Sequence, residues 1–176
     1  SSDLMSAIYR NTAPEATSPW VMPGNYTLRL TVDGTVLKQP LTVTMDPRVK
    51  TRLDDLSEQH DLAVQAWKGR KEMLEVLGTI SRFEAAVSSI PTGKKSKSIQ
   101  AAFEAVRMVK GDLKRTEQGW AGLHGLLQQS DNPLTRQARQ GVTTLSERHA
   151  EVTGRWTGMM AKHGKVIQAT VGQKPD

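Results

Sequence analysis

From residue 47 onward the chain is punctuated only twice, at "SIPTGKKSKS" and at "QQSDNP", and between the breaks apolar or seam residues recur at intervals of three and four. That spacing is helical. The first stripe runs Val49, Leu53, Leu56, His60, Ala63, Trp67, then Leu74, Leu77, Ile80, Phe83, Val87 and Ile90. The second is Ile99, Phe103, Val106, Val109, Leu113, Trp120, Leu123 and Leu127. The third is Ala138, Val142, Leu145, His149, Val152, Trp156, Met159, His163 and Val166. Helices of roughly 30 to 40 residues each reach about 45 to 60 Å. Short connections make consecutive helices antiparallel neighbours. Reflection across loops near residues 93 and 131 then layers Phe83 with Phe103 and Met159, Ile80 with Val106 and Trp156, and Trp67 with Trp120 and Val142. His60, His124 and Ala138 form a further layer toward the β segment. The closure of these layers predicts an antiparallel, up-down-up three-helix bundle over residues 47–176.

Upstream the period changes to two. Tyr26, Leu28, Leu30 and Val32 alternate with Thr27, Arg29 and Thr31; Asp33-Gly34 is a two-residue hairpin turn; Val36, Leu41, Val43 and Met45 continue the strand pattern. Pro40 has no amide hydrogen, which places the second strand at an edge or a bulge there. Asp46 is positioned to cap, and Pro47 to open, the first helix, while Asp131 or Asn132 with Pro133 does the same for the third. "LMSAIYR" fits a short strand and "NTAPEATSP" a loop. Two strands alone seldom hold together in water. Residues 1–46 are therefore expected to be a partial β-sandwich-like segment whose remaining strands lie elsewhere, and the fold class is α+β.

A chain of 176 residues, 37% hydrophobic and 24% charged, is long enough for one domain, or for a small domain plus an appendage. No apolar run nears the roughly 20 residues that a membrane span requires. The sequence starts Ser1-Ser2 with no basic or apolar leader features, so no targeting peptide is expected within it. Absence of cysteine excludes disulfides, a thiolate nucleophile and cysteine-type zinc sites. The net charge of +6 is compatible with polyanion binding, but the basic residues are interleaved with Asp and Glu along helices, the pattern of solvated faces.

The run "MPGNYTLRLTVDG…QPLTVTMDPRV", with "LDDLSEQHDLAVQ" and "QQSDNPLTRQARQGVTTLSERHAEVTGRW", resembles the C-terminal region of bacterial sortilin-like or BNR-repeat β-propeller proteins, often labelled glycosyl hydrolase or exo-sialidase-like. The similarity extends over about residues 20 to 160. The resemblance implies a short immunoglobulin-like β segment after a propeller, then a helical tail, in a protein that is periplasmic or secreted. The aspartate-box signature of such repeats, Ser-x-Asp-x-Gly-x-x-Trp, is missing: "TVDGTVLKQ" has Asp33 and Gly34 but no Trp in place. No catalytic residue carries over.

Chemical motifs are sparse. His60 and His124 share an expected layer, a possible metal pair or protonation switch, but two ligands are too few without a carboxylate, and a register-fixing polar layer explains them as well. Glu147, His149 and Glu151 in "SERHAEVTGRW" lack the second His of a zinc-protease helix, and the two glutamates are expected to pair with Arg148, Arg155 or solvent. No Gly-x-Ser-x-Gly elbow accompanies the Ser, His and Asp residues. Gly119, Gly122 and Gly125 in "GWAGLHG" point to close packing or a kink rather than phosphate binding. Lys94, Lys95 and Lys97 form a basic loop without the aromatic residues that stack on bases.

No catalytic, metal or cofactor site is assigned, and the chain reads as a non-catalytic structural or protein-interaction module at the C-terminal end of an exported propeller protein. Its attachment surface is expected at Trp20, Tyr26, Leu28, Leu30, Val36 and Val43, and its partner is the remainder of the parent chain or another protein. The alternative is a basic helical module binding polyanions, nucleic acid or an anionic surface, through Lys94, Lys95, Lys97, Lys110, Lys114 and Arg115.

Overall fold

A computed structural model describes residues 18–91 and 93–172. The strand expected over residues 4–10, and residues 11–17 of the loop expected over 11–19, lie outside the described residues. Strands β1 (Gly24–Val32) and β2 (Thr35–Val43) form a two-stranded antiparallel sheet, followed by helices α1 (Leu53–Ser89), α2 (Lys97–Leu127) and α3 (Arg136–Gly172). The fold is α+β, with a helical bundle after the hairpin.

Asp33 (φ 47°) and Gly34 (φ 79°) both occupy the left-handed region, as a type I′ turn requires. This turn fixes the register: Val32 faces Thr35, Leu30 faces Leu37, Leu28 faces Gln39 and Tyr26 faces Leu41. The pair closing a two-residue turn is hydrogen-bonded, and such pairs alternate with non-bonded ones. Pro40, opposite Thr27, falls on a non-bonded pair, so its missing N–H would have pointed away from β1. The ladder loses nothing to the proline.

The helices alternate in direction. Arg70 on α1 reaches Glu117 on α2 (2.9 Å), and farther along α1 Glu84 meets Lys110 (2.7 Å), so the two run antiparallel. Asp112 and Trp120 of α2 meet Arg155 (2.7 Å) and His149 (3.0 Å) of α3, again antiparallel. α1 and α3 run parallel, joined by Glu58–Arg139 (2.6 Å) and Gln65–Ser146 (2.9 Å). The result is up-down-up.

Two helix starts differ from the sequence reading. α1 opens at Leu53 rather than near Pro47, although Asp46 does make the bond expected of a cap: its carboxylate accepts from the Arg48 backbone N–H two residues on (2.9 Å) and also holds the Arg48 guanidinium (2.6 Å). The Asp46 carbonyl accepts from Val49 N–H (2.9 Å), closing one turn that is not continued. Asp54 and Asp55 then sit in the first turn of α1, where negative charge suits the helix dipole. α3 opens at Arg136, capped by the Thr135 hydroxyl on the Ala138 N–H (3.1 Å) rather than by Asp131 or Asn132. The Asp131 carbonyl instead accepts from the Thr51 hydroxyl, tying the entry to α1 to the α2–α3 loop.

The core seam on α1 also shifts. Leu53 and Leu74 are exposed and Trp67 is half-buried, while the small or flexible Gln59, Ala66, Gly69 and Met73 are buried. The cause is Trp120, whose indole lies directly against Gly69, where any side chain on α1 would occupy the ring's space. The expected Trp67–Trp120–Val142 layer is thus replaced by Gly69–Trp120–His149, with the Trp120 and His149 rings edge-to-face at 6.0 Å. Ile80, Phe83 and Val87 of α1 and Val106, Val109 and Leu113 of α2 are buried as the stripes predict.

Candidate functional site

The hairpin meets the bundle only at its root. There the backbone of Trp20 is held from α1 and from the residue that caps the C-terminal end of α2: its N–H donates to Gln128 Oε1 (2.6 Å), and its carbonyl accepts from His60 Nδ1 (2.8 Å). Because Gln128 Oε1 faces Trp20, the Gln128 Nε2 amide donates to His124 Nε2 (3.2 Å), which must therefore carry a lone pair. His124 is buried, and that burial, with the nearby Arg70 charge second, holds its pKa below the ordinary value. His60 and His124 are thus joined through Gln128 and the Trp20 backbone as hydrogen-bonding parts, an arrangement unlike a metal pair. Beside them a cleft of ≈ 110 Å³ is lined by Met22, Val43, Met45, Leu56 and Leu127 among others. Gln59, also in this cleft, donates to the Leu127 carbonyl and to that of Ser130 (2.7 Å), satisfying backbone acceptors at the C-terminal end of α2.

Beyond the root the sheet stands clear of the bundle. Residues of the even positions on β1 share a face with their register partners, so Tyr26, Leu28, Leu30 and Val32 lie beside Leu41, Gln39, Leu37 and Thr35. Leu28, Leu30, Val32 and Leu37 are 53%, 58%, 51% and 59% exposed. A contiguous apolar sheet face turned to solvent is rare on a soluble molecule unless something covers it. Tyr26 closes the entrance to β1 by donating its hydroxyl to the Met22 carbonyl four residues upstream (2.5 Å).

The register corrects one member of the expected surface. Val36 faces Thr31 on the opposite, polar face, whereas Val43, opposite Gly24, lies on the apolar side. Val32, Leu37 and Leu41 share the apolar face and are missing from the expected surface. Counting outward from the Asp33-Gly34 turn would have found them, since residues flanking a two-residue loop pair directly. Trp20 is 53% exposed and holds the root through its backbone, without packing its ring into a core.

The remaining motifs have structural partners. His149 accepts the Trp120 indole N–H at Nδ1 and its Nε2 lies 3.0 Å from Glu72, so both ring nitrogens are occupied. Glu147 and Glu151 are exposed, and Arg148 and Arg155 turn instead to Asp112, whose carboxylate is held below its ordinary pKa by Arg115 and Arg155. Gly119 admits Leu145 of α3 so closely that an added Cβ would lie 3.0 Å from it, and α2 continues without a break through Gly122 and Gly125. Lys94 and Lys97 are exposed and Lys95 is half-buried at the α1–α2 loop, while Lys110 pairs with Glu84 and Arg115 with Asp112 (2.6 Å). Lys110 lies thirteen positions beyond Lys97 along the helix, about 20 Å, so the six basic residues do not make one patch.

Among the described residues no three or more His, Asp or Glu side chains converge as a metal site would need, and no helix is long and apolar enough to cross a membrane. Comparison with family models, with curated proteins and with solved structures found no match.

Proposed function

We propose that the chain is a non-catalytic interaction module in which a helical bundle presents an incomplete β layer for completion by further β structure. The observation that carries this is the exposed apolar face of Leu28, Leu30, Val32, Leu37 and Leu41 on an ordered two-stranded sheet. Burying about 400 Å² of such surface is worth on the order of 10 kcal/mol before the costs of association, enough to favour a stable neighbour.

The Tyr26–Met22 contact supports an immunoglobulin-like sandwich as the structure to be completed, because a tyrosine at the start of a strand bonding to backbone a few residues upstream fixes the corner in such folds. The resemblance to the C-terminal region of exported sortilin-like propeller proteins supplies the same expectation and gives the neighbour as the rest of that chain, in the periplasm or outside the cell. Hydroxyl-radical footprinting is the test. Leu30 and Leu37 should label strongly in the 176-residue chain and be protected in the native polypeptide isolated from its source cells. Equal labelling in both would defeat the proposal.

A further inference from the structure

The two edges of the hairpin are not equivalent, and resting on the reading just given, the difference says which one a partner strand uses. On β1 the residues of the non-bonded pairs, Asn25, Thr27, Arg29 and Thr31, direct their N–H and C=O groups outward, and all four keep the donor. On β2 the outward row is Val36, Lys38, Pro40 and Thr42, and Pro40 interrupts it at the centre. A proline in that place blocks edge pairing while leaving the internal ladder whole.

Charge adds a second constraint. Arg29 faces Lys38 directly across the ladder on the polar face, a like-charge pair that opposes hairpin formation. The hairpin's one acidic residue, Asp33, is at the turn, and neither Arg29 nor Lys38 has a salt-bridge partner among the described residues. An acid placed beside Arg29 would relieve the repulsion, and the β1 edge is where an incoming chain can put one.

We infer that the outer edge of β1 receives a single extended segment from the rest of the parent chain, one with apolar side chains on the Leu28/Leu30 side and an acidic side chain beside Arg29, and that β2 is the terminal strand. Backbone hydrogen bonds at Asn25, Thr27, Arg29 and Thr31 would hold the segment, while the apolar face continues across it. A second copy of this chain is a poorer fit, since each copy carries a net charge of +6 and brings no acid to Arg29 from its own β1.

The probe is an acetylated, amidated nine-residue peptide alternating valine with threonine and bearing one central glutamate, added at millimolar concentration to the full chain. Amide exchange by NMR should slow at Thr27, Arg29 and Thr31 and stay unchanged at Val36, Lys38 and Thr42. Thr27→Pro, which deletes one outward donor opposite Pro40, should weaken binding at least tenfold, and Thr42→Pro should leave it within about twofold. Arg29→Glu keeps every backbone donor and should reverse the preference between the glutamate peptide and its lysine counterpart. Protection of the β2 row, or a loss confined to Thr42→Pro, overturns the edge assignment while leaving the interaction module intact. Concentration-dependent protection of β1 without peptide overturns it in favour of a second copy. No protection at either row, with Leu30 and Leu37 still covered in the native polypeptide, defeats strand addition alone; no covering there removes the underlying reading as well.

Discussion

Gly69→Ala should destabilise the bundle although alanine is the better helix former. An ideal Cβ at Gly69 lies 2.6 Å from Trp120 Cε2 and Nε1 and 3.0 Å from Cδ2, against the roughly 3.5 to 4.0 Å of a comfortable carbon contact. Trp120 is 2% exposed, so its ring has no solvent to retreat into. A retreat of about 1 Å also breaks the 3.0 Å bond from its indole N–H to His149. Overpacking of this kind costs about 1 to 3 kcal/mol, and a buried donor left without a partner about 1 to 3 more. The helix-propensity gain of Gly→Ala returns about 1 kcal/mol. The net is a loss centred near 3 kcal/mol, or a drop in Tm of about 6 to 12 °C for a chain of this size. Gly158, in α3, has nothing within 4 Å of an added Cβ, so Gly158→Ala should raise Tm by about 2 to 4 °C. Thermal unfolding followed by circular dichroism reads both variants. A rise in Tm for Gly69→Ala comparable to that of Gly158→Ala would refute the close approach of α1 to Trp120 on which the α1 seam depends.

The hairpin root yields two further expectations. Gln59→Leu removes the buried amide that serves the carbonyls of Leu127 and Ser130, and should cost about 1 to 3 kcal/mol in denaturant unfolding; a neutral result would mean that water satisfies those carbonyls equally well. Stability should also depend on His124: its folded pKa is depressed, so between that value and about 6.5 the unfolded chain binds more protons, and stability rises with pH. Its contribution is complete above about pH 6.5 and is lost as pH falls toward the folded value, because a protonated Nε2 repels the Gln128 amide and pulls Oε1 from the Trp20 N–H. Tm measured from pH 7 to pH 5 should fall more steeply for the native chain than for His124→Phe, and parallel curves would contradict this.

The parts legible in the sequence are those in which local rules and packing agree. Asp33-Gly34 set the hairpin because a type I′ turn, with two positive φ angles, matches the twist of the strands, and the loops at "SIPTGKKSKS" and "QQSDNP" set the helix count. What escaped was settled by geometry between elements. Trp67 and Leu74 attract a reader looking for bulk, yet the seam runs through Ala66, Gly69 and Met73, because the large side chain at that level comes from α2. Asp46-Pro47 has the composition of a helix start, and Asp46 does cap one turn through the Arg48 N–H, but that turn ends before the helix begins at Leu53, and nothing in the spacing says where it ends. The Trp20 clamp joins residues 40 and 108 positions apart, beyond the reach of any periodicity.

The contrast between the two halves of the chain is itself an argument about function. The bundle has its own buried seams, cross-helix ion pairs at Arg70–Glu117, Glu84–Lys110 and Glu58–Arg139, and satisfied acceptors at the end of α2. None of these contacts involves the sheet. The sheet has a turn, a ladder and a root, but its apolar side chains meet water, and a two-stranded hairpin so exposed is marginal by itself. Selection for stability alone would favour polar residues at Leu28, Leu30 and Leu37, since substitution there removes no core contact. Keeping leucine at all three, beside a polar face of Asn25, Thr27, Arg29 and Thr31, makes sense if that side is interior in the working assembly. The bundle then acts as the rigid base, and the peptide of Trp20, gripped by His60 and Gln128, sets the position at which the hairpin is presented.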